Sequence, residues 1–178
     1  MDDDRFPIGE RPSLDPASFR RAMSRFATGV AIVTTRHGGV PYGMTINSLT
    51  SVSLDPCLLL ICPRTGSATG EAIRERGAFV VNILSDAQRS VLKQFGGGFA
   101  QRFSDLDLAT AELGLPAIRG SLACLTCAVV GTYPGGDHDI ILGRPMTCGE
   151  EEGEPLVFHR GLFGTFSAPA SGQKGAVL

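Results

Sequence analysis

The sequence predicts a mainly β domain with inserted helices, arranged as an antiparallel barrel. Three observations carry that prediction. Period-two alternation of apolar and polar residues recurs along the chain, as in half-buried strands. The strands are joined by short Gly, Pro and Asp turns of the hairpin kind. Only two or three helical patterns interrupt them, which fits a barrel that closes its own edges better than a doubly wound sheet.

Residues 1–14 are polar, hold Pro7 and Pro12, and read as a loose arm. Asp15-Pro16 starts a helix, with Asp as N-cap and Pro at the first helical position. Phe19, Ala22, Met23 and Phe26 then recur at helical spacing, and Gly29 is expected to end the helix. Val30–Thr35 is a strand, turned at His37-Gly38-Gly39 into a second one. That second arm is expected to run on through Gly43–Ser53, with Met44, Ile46, Ser48, Thr50 and Val52 on one side.

Asp55-Pro56 forces a turn, and Cys57–Cys62 is a strand apolar on both faces, hence central. The loop Pro63–Ser67 feeds a helix over Ala68–Arg76, closed by Gly77. Ala78–Leu84 is a strand, Ser85 caps a helix to Phe95, and Gly96-Gly97-Gly98 breaks it. Phe99–Gly120 reads as loop with short elements at most. Leu122–Tyr133 and His138–Cys148 form a hairpin, and Pro155–Arg160 is the last strand. The domain thus spans 15–166, with a flexible tail over 167–178.

Composition excludes several classes. The chain has 178 residues, 43% hydrophobic and 19% charged, as one globular domain should. A net charge of -2 and a pI near 5.9 give no footprint for nucleic acid or an anionic membrane. No apolar run approaches the ~20 residues of a membrane-spanning helix, and the acidic start is no secretory signal. The expectation is a cytoplasmic protein. Four of the five cysteines sit in apolar runs, as buried free thiols do. Cys124-x-x-Cys127 lies in a strand and lacks a second pair, so neither a zinc nor a thioredoxin-type site is expected. No G-x-G-x-x-G follows a strand, which argues against a Rossmann domain.

Three stretches could carry chemistry. Gly43–Ser53 holds more short hydroxyl and amide groups than a packed strand wants. Such a strand suits a flat heteroaromatic edge such as that of a flavin, although alone it reads better as a strand with a polar outer face. Pro63-Arg64-Thr65-Gly66-Ser67 places a cation and two hydroxyls before a helix start, where phosphate is attracted, or is a plain turn capped by Ser67. His138 follows a Gly-Gly-Asp turn and could donate to a carboxamide or move a proton, or be merely solvated. No carboxylate pair and no Ser-His-Asp order stands out.

These segments occur in a telling order. Phe19-Arg20, Phe26–Val30, Gly43–Ser48, Ser51–Pro56, Phe79–Leu84, Gly136–Ile140 with Gly143, and Gly161 with Phe163 resemble the short-chain flavin reductase family from Phe19 to Phe166. Members of that family are the reductase components of two-component flavin-dependent monooxygenases. The resemblance implies an FMN-binding split barrel, Greek-key-like and homodimeric. It implies that NADH or NADPH reduces FMN or FAD, and that the reduced flavin diffuses to a separate monooxygenase; no Arg cluster stands ready for a 2′-phosphate, which favours NADH over NADPH. It also implies roles. Thr45, Asn47, Ser48 and Leu49 would face the isoalloxazine edge, and Cys62, Arg64, Thr65 and Ser67 would hold the ribityl chain and phosphate. Arg102 and Phe103 would close over the flavin, His138 would lie beside the nicotinamide, and Phe163 near the ring.

Three departures stand out: Leu49 where Phe is frequent, Cys57 where a second Pro is common, and Pro145, which is expected to mark an edge strand or its end. Two other readings are a flavin carrier or sensor without turnover, and an oxidase of the pyridoxamine-phosphate type.

Overall fold

The computed structural model describes residues 14–97 and 102–166. The expected arm and tail, 1–14 and 167–178, lie outside them apart from Leu14. Helix α1 (Pro16–Met23) starts as expected: Asp15 Oδ1 accepts from Ala17 N at 2.9 Å and from Ser18 N at 3.1 Å, and Pro16 fills the first position. It ends six residues before Gly29. Thr28–Gly29 is instead a short strand, β1, paired with Val157 and Phe158. Tertiary pairing takes residues that local spacing would have left helical or loose. Among the described residues nothing covers the apolar side of α1: Phe19 is 56% exposed, and Phe26, just beyond the helix, 68%.

Strands β2 (Ala31–His37) and β3 (Val40–Ile46) form the first hairpin around Gly38-Gly39. The long strand expected over Gly43–Ser53 is two strands: β3 ends at Ile46 and β4 begins at Thr50, running to Leu54. β4 turns at Asp55-Pro56 into β5 (Cys57–Ile61), and α2 (Ala68–Arg76) follows. The Ser67 side chain caps α2, and Gly77 ends it with φ 71°. β6 (Ala78–Ile83) leads through a 3-10 turn into α3 (Arg89–Phe95). The expected loop beyond contains a small ladder, β7 (Leu108–Thr110) with β8 (Pro116–Ile118). β9 (Ala123–Gly135) and β10 (His138–Glu150) make the long ribbon. Pro145 neither ends β10 nor makes it an edge strand; it sits at a register shift, beyond the three residues that β5 pairs. Finally β11 (Leu156–His159) is followed by a strand that was not expected, β12 (Leu162–Thr165), across a two-residue turn.

Seven strands form one antiparallel sheet in the order β3-β2-β6-β9-β10-β5-β4. Its two edges, β3 and β4, are neighbours in the chain, joined by Asn47-Ser48-Leu49 alone. A flat sheet would hold those edges about 29 Å apart, at ~4.8 Å per strand. Ile46 to Thr50 can span at most about 14 Å. The sheet must therefore roll until its edges nearly meet, a barrel split along one seam. Its inside is a single cluster with residues from six strands, among them Val33, Ile46, Ile61, Phe79, Cys127 and Ile141, with Ile73 of α2 added. Outside, Val30 and Ile32 pack under Phe95 of α3 and Leu156 of β11. Asn82 is fully buried on that outer face and fully used: its Nδ2 donates to Ile32 O at 2.9 Å, and its Oδ1 accepts from Ile118 N at 2.8 Å.

Candidate active site at the barrel seam

The seam is where the polar residues gather. Ser48 stitches it: its hydroxyl accepts from Cys62 N at 3.1 Å and donates to Cys62 O at 3.4 Å. That bond ties the crossing segment to the end of β5. Leu49 points inward and packs on the barrel core. Thr45 and Asn47 lie on the outer face and are exposed. With Val30, Ile46, Phe158 and Phe163 they line a groove of about 190 Å³. An adjoining pocket of about 300 Å³ is lined by Thr28, Asn47 and Leu49 among others. Phe158 and Phe163 stand with ring centroids 5.3 Å apart, so one wall is aromatic.

The same outer row of β3 continues to Gly43. Its carbonyl, on the free edge, accepts from Arg102 Nη1 at 3.0 Å and from Thr69 Oγ1 at 3.2 Å. A Cβ on Gly43 would lie 2.6 Å from Phe95 and 3.0 Å from Phe103, so the two rings close directly on the backbone. Phe95 and Phe103 themselves meet edge to face at 5.4 Å. Arg102 and Phe103 thus flank the Thr45–Asn47 row at its Gly43 end.

From Cys62 the chain passes to the second group. Arg64 and His138 form a β-bridge, Thr65 N donates to Asp137 O at 3.1 Å, and Asp139 N donates to Pro63 O at 2.9 Å. Thr65 Oγ1 donates to Asp139 Oδ1 at 3.1 Å, and Arg74 of α2 pairs with the other oxygen. His138 Nδ1 lies 2.8 Å from Asp137 Oδ1. An ionised carboxylate only accepts, so Nδ1 carries the hydrogen and Nε2 is left for a ligand. The hydrogen bond from His138, then its charge, hold the Asp137 carboxyl below the usual carboxylate range. Burial pushes the Cys62 thiol up. Ser67 serves the helix, its Oγ accepting from Gly70 N at 3.3 Å.

Of the expected site residues, Thr45, Asn47 and Phe163 line the groove and Ser48 bonds to Cys62, while Arg64, Thr65 and His138 form a second group, after Cys62 in the chain, that does not line the groove. Thr28, Val30 and Phe158 are among the lining residues that carried no role in the sequence reading. The first two sit in the Phe26–Val30 run of the resemblance, a signal that was present but unassigned. Phe158 becomes visible only through its pairing with Thr28. Thr28 also supplies a test of fit. Its hydroxyl is buried with no hydrogen-bond partner among the described residues, and it lines the pocket that Asn47 overhangs. A ring with a polar edge answers such an orphaned group, and a plain apolar ligand does not.

A rolled antiparallel sheet, a seam of short polar side chains and an aromatic wall define a barrel with a groove suited to a planar, polar-edged ring. The profile of the flavin reductase like domain matches residues 23–167, and the chain belongs to that family, as an oxidoreductase. The chain is 38% identical over 151 residues to HsaB, the reductase subunit of a flavin-dependent monooxygenase from Mycobacterium tuberculosis, covering 83% of this chain and 81% of that protein. A homologue of nitrilotriacetate monooxygenase component B from Mycobacterium thermoresistibile matches with a TM-score of 0.85 at 36% identity, over 91% of this chain and 92% of that one. SgcE6, the NADH:FAD oxidoreductase of Streptomyces globisporus C-1027, solved with NAD and FAD fragments, matches at 0.83 and 34% over 90% and 100%.

Proposed function

We propose that the protein is an NADH-dependent flavin reductase that hands reduced FMN or FAD to a separate monooxygenase by diffusion. The observation that carries this reading is the seam groove lined by Thr45, Asn47, Phe158 and Phe163, with the orphaned Thr28 hydroxyl beside the pocket that adjoins it. A bound flavin would supply the redox chemistry, as an acceptor of hydride from a reduced nicotinamide. The chain's residues bind and orient. Thr45, Asn47, Ser48 and Leu49 serve the ring edge, and Phe163 its face. Arg64, Thr65 and Ser67, with Cys62, serve the ribityl chain and phosphate. Arg102 and Phe103 border the ring site, and His138 offers Nε2 to the nicotinamide carboxamide. No side chain must take a proton for the hydride to move, which suits a site without a carboxylate pair.

The working form is a homodimer. Its support is the apolar side of α1, where Phe19, Met23 and Phe26 stand uncovered, and light scattering of the purified protein checks it. Among the described residues no helix is long and apolar enough to cross a membrane, which accords with a cytoplasmic site of action. The function is tested by mixing the protein with NADH and excess free flavin and following the nicotinamide absorbance. Turnover that falls in His138→Ala supports the reading. Flavin binding without any NADH oxidation would make the protein a carrier or sensor instead.

A further inference from the structure

The loop Pro63–Ser67, proposed to hold the flavin phosphate, already faces an anion of the chain's own. The Asp139 carboxylate accepts the Thr65 hydroxyl on Oδ1 at 3.1 Å and the Arg74 guanidinium on Oδ2. A hydroxyl beside a guanidinium is also a donor pair that suits a phosphate. We propose that Asp139 is a resident rival to the ligand's phosphate, and so sets how little a phosphorylated flavin gains over an unphosphorylated one. The proposal deepens the reductase reading and rests on it for the flavin and for the place of its phosphate.

The backbone keeps the carboxylate at the loop. Asp139 N donates to Pro63 O at 2.9 Å, Thr65 N donates to Asp137 O at 3.1 Å, and Arg64 bridges His138 between them. Arg74 closes a circuit. It stands on α2, the helix that the same loop feeds and that Ser67 caps. The side chain of Asp139 is 13% exposed and that of Arg74 36%, so water screens the pair only in part.

Each bond in the circuit weakens the loop as an anion seat. Thr65 has one hydroxyl hydrogen, and while Asp139 holds it none is left for a phosphate. A phosphate that takes it sets a second anion beside the first, which like charges resist. Arg74, its charge answered by Asp139, draws a phosphate only weakly. Arg64 is exposed and its side chain takes no part in the circuit, so a phosphate still meets one cation. The hold is moderated, not abolished. Riboflavin carries the same ring without the phosphate and senses none of this.

That difference is the test. Full-length wild type, Asp139→Asn, Arg74→Gln and, as a control for general charge, Glu150→Gln at the far end of β10 are titrated with FMN and with riboflavin. Each is then assayed with NADH and either flavin. Asparagine keeps the shape and one acceptor oxygen but not the charge, so the hold on the hydroxyl and the guanidinium is loosened. Asp139→Asn should bind FMN about tenfold more tightly, with riboflavin affinity changed less than twofold. Arg74→Gln leaves the carboxylate uncompensated and should weaken FMN alone. Arg74 lies on the exposed side of α2, so this arm decides the matter even where Asp139→Asn does not fold. A latch that merely held the loop would weaken both flavins together in Asp139→Asn, and that result overturns the proposal. An equal gain for FMN in Glu150→Gln overturns it too. If neither flavin binds or turns over, the reductase reading falls and this one with it; if both turn over and their relative affinity never moves, this one falls alone.

Discussion

Replacing Ser48 with alanine tests whether the seam is held as described. The serine hydroxyl accepts the Cys62 N–H at 3.1 Å and returns a weaker bond to Cys62 O at 3.4 Å. Alanine leaves that donor without its partner in a half-buried place. Stranding a buried donor costs about 1–3 kcal/mol, and partial access to water moves the expectation to the lower half, ~1–2 kcal/mol. For a chain of this size that is a fall in Tm of about 2–8 °C. Urea unfolding should show a lower midpoint with an unchanged slope, because little extra surface is exposed. Hydrogen exchange should lose protection at the Cys62 amide first, and flavin affinity should fall with it, since Asn47 is the next residue along. Ser48→Thr keeps the hydroxyl and should recover most of the loss. An unchanged midpoint together with unchanged protection at Cys62 would refute the argument.

Three further outcomes follow from the packing. Gly43→Ala drives a Cβ to 2.6 Å from Phe95, a ring 5% exposed and unable to yield freely, and should cost about 1–3 kcal/mol in denaturant unfolding. Asn82→Ala removes the partners of Ile32 O and Ile118 N in a fully buried place and should cost about 3 kcal/mol or more, the largest single loss expected here. The Cys127 thiol is pushed up to about 12 from an ordinary 9.0 by burial. A raised thiol pKa means that its stabilising contribution is intact below the unfolded value and is lost as pH rises from 9.0 toward 12. Cys127→Val should therefore flatten the alkaline limb of a stability-against-pH curve, by at most ~4 kcal/mol.

Local signals were legible where local chemistry decides. Asp15-Pro16, the Ser67 cap with Gly77, and the Gly38-Gly39 turn each lie where short-range rules place them. Most of the long strands were equally legible from alternation, whereas the site residues were assigned through the family resemblance, since side-chain types alone read Gly43–Ser53 better as a strand with a polar outer face. What escaped was set by distant pairing. The alternation through Gly43–Ser53 is continuous, and nothing local shows that the chain leaves one edge of the sheet at Ile46 and joins the other at Thr50. Nor does the spacing of Phe19, Met23 and Phe26 reveal that the apolar side of α1 meets no core of its own. Strand β12 was hidden because Arg160-Gly161 does not look like a hairpin turn. Phe158 entered the site only because β1 pairs with β11. At Pro145 the rule was sound but the geometry was local: the residue needs a missing partner on one side only, and a bulge beyond the reach of β5 provides it.

The split in the barrel has a kinetic reading. Each lip of the opening belongs to its own small hairpin, β2–β3 or β4–β5, which can form from nearby residues. The lips face each other only after β10, some eighty positions further on, has docked beside β5. A ligand of the groove beside Asn47, which also needs Phe158 and Phe163 in place, would find little to grip while the chain is still assembling. It acts as a clasp on the finished article, slowing its opening while leaving the speed of folding untouched.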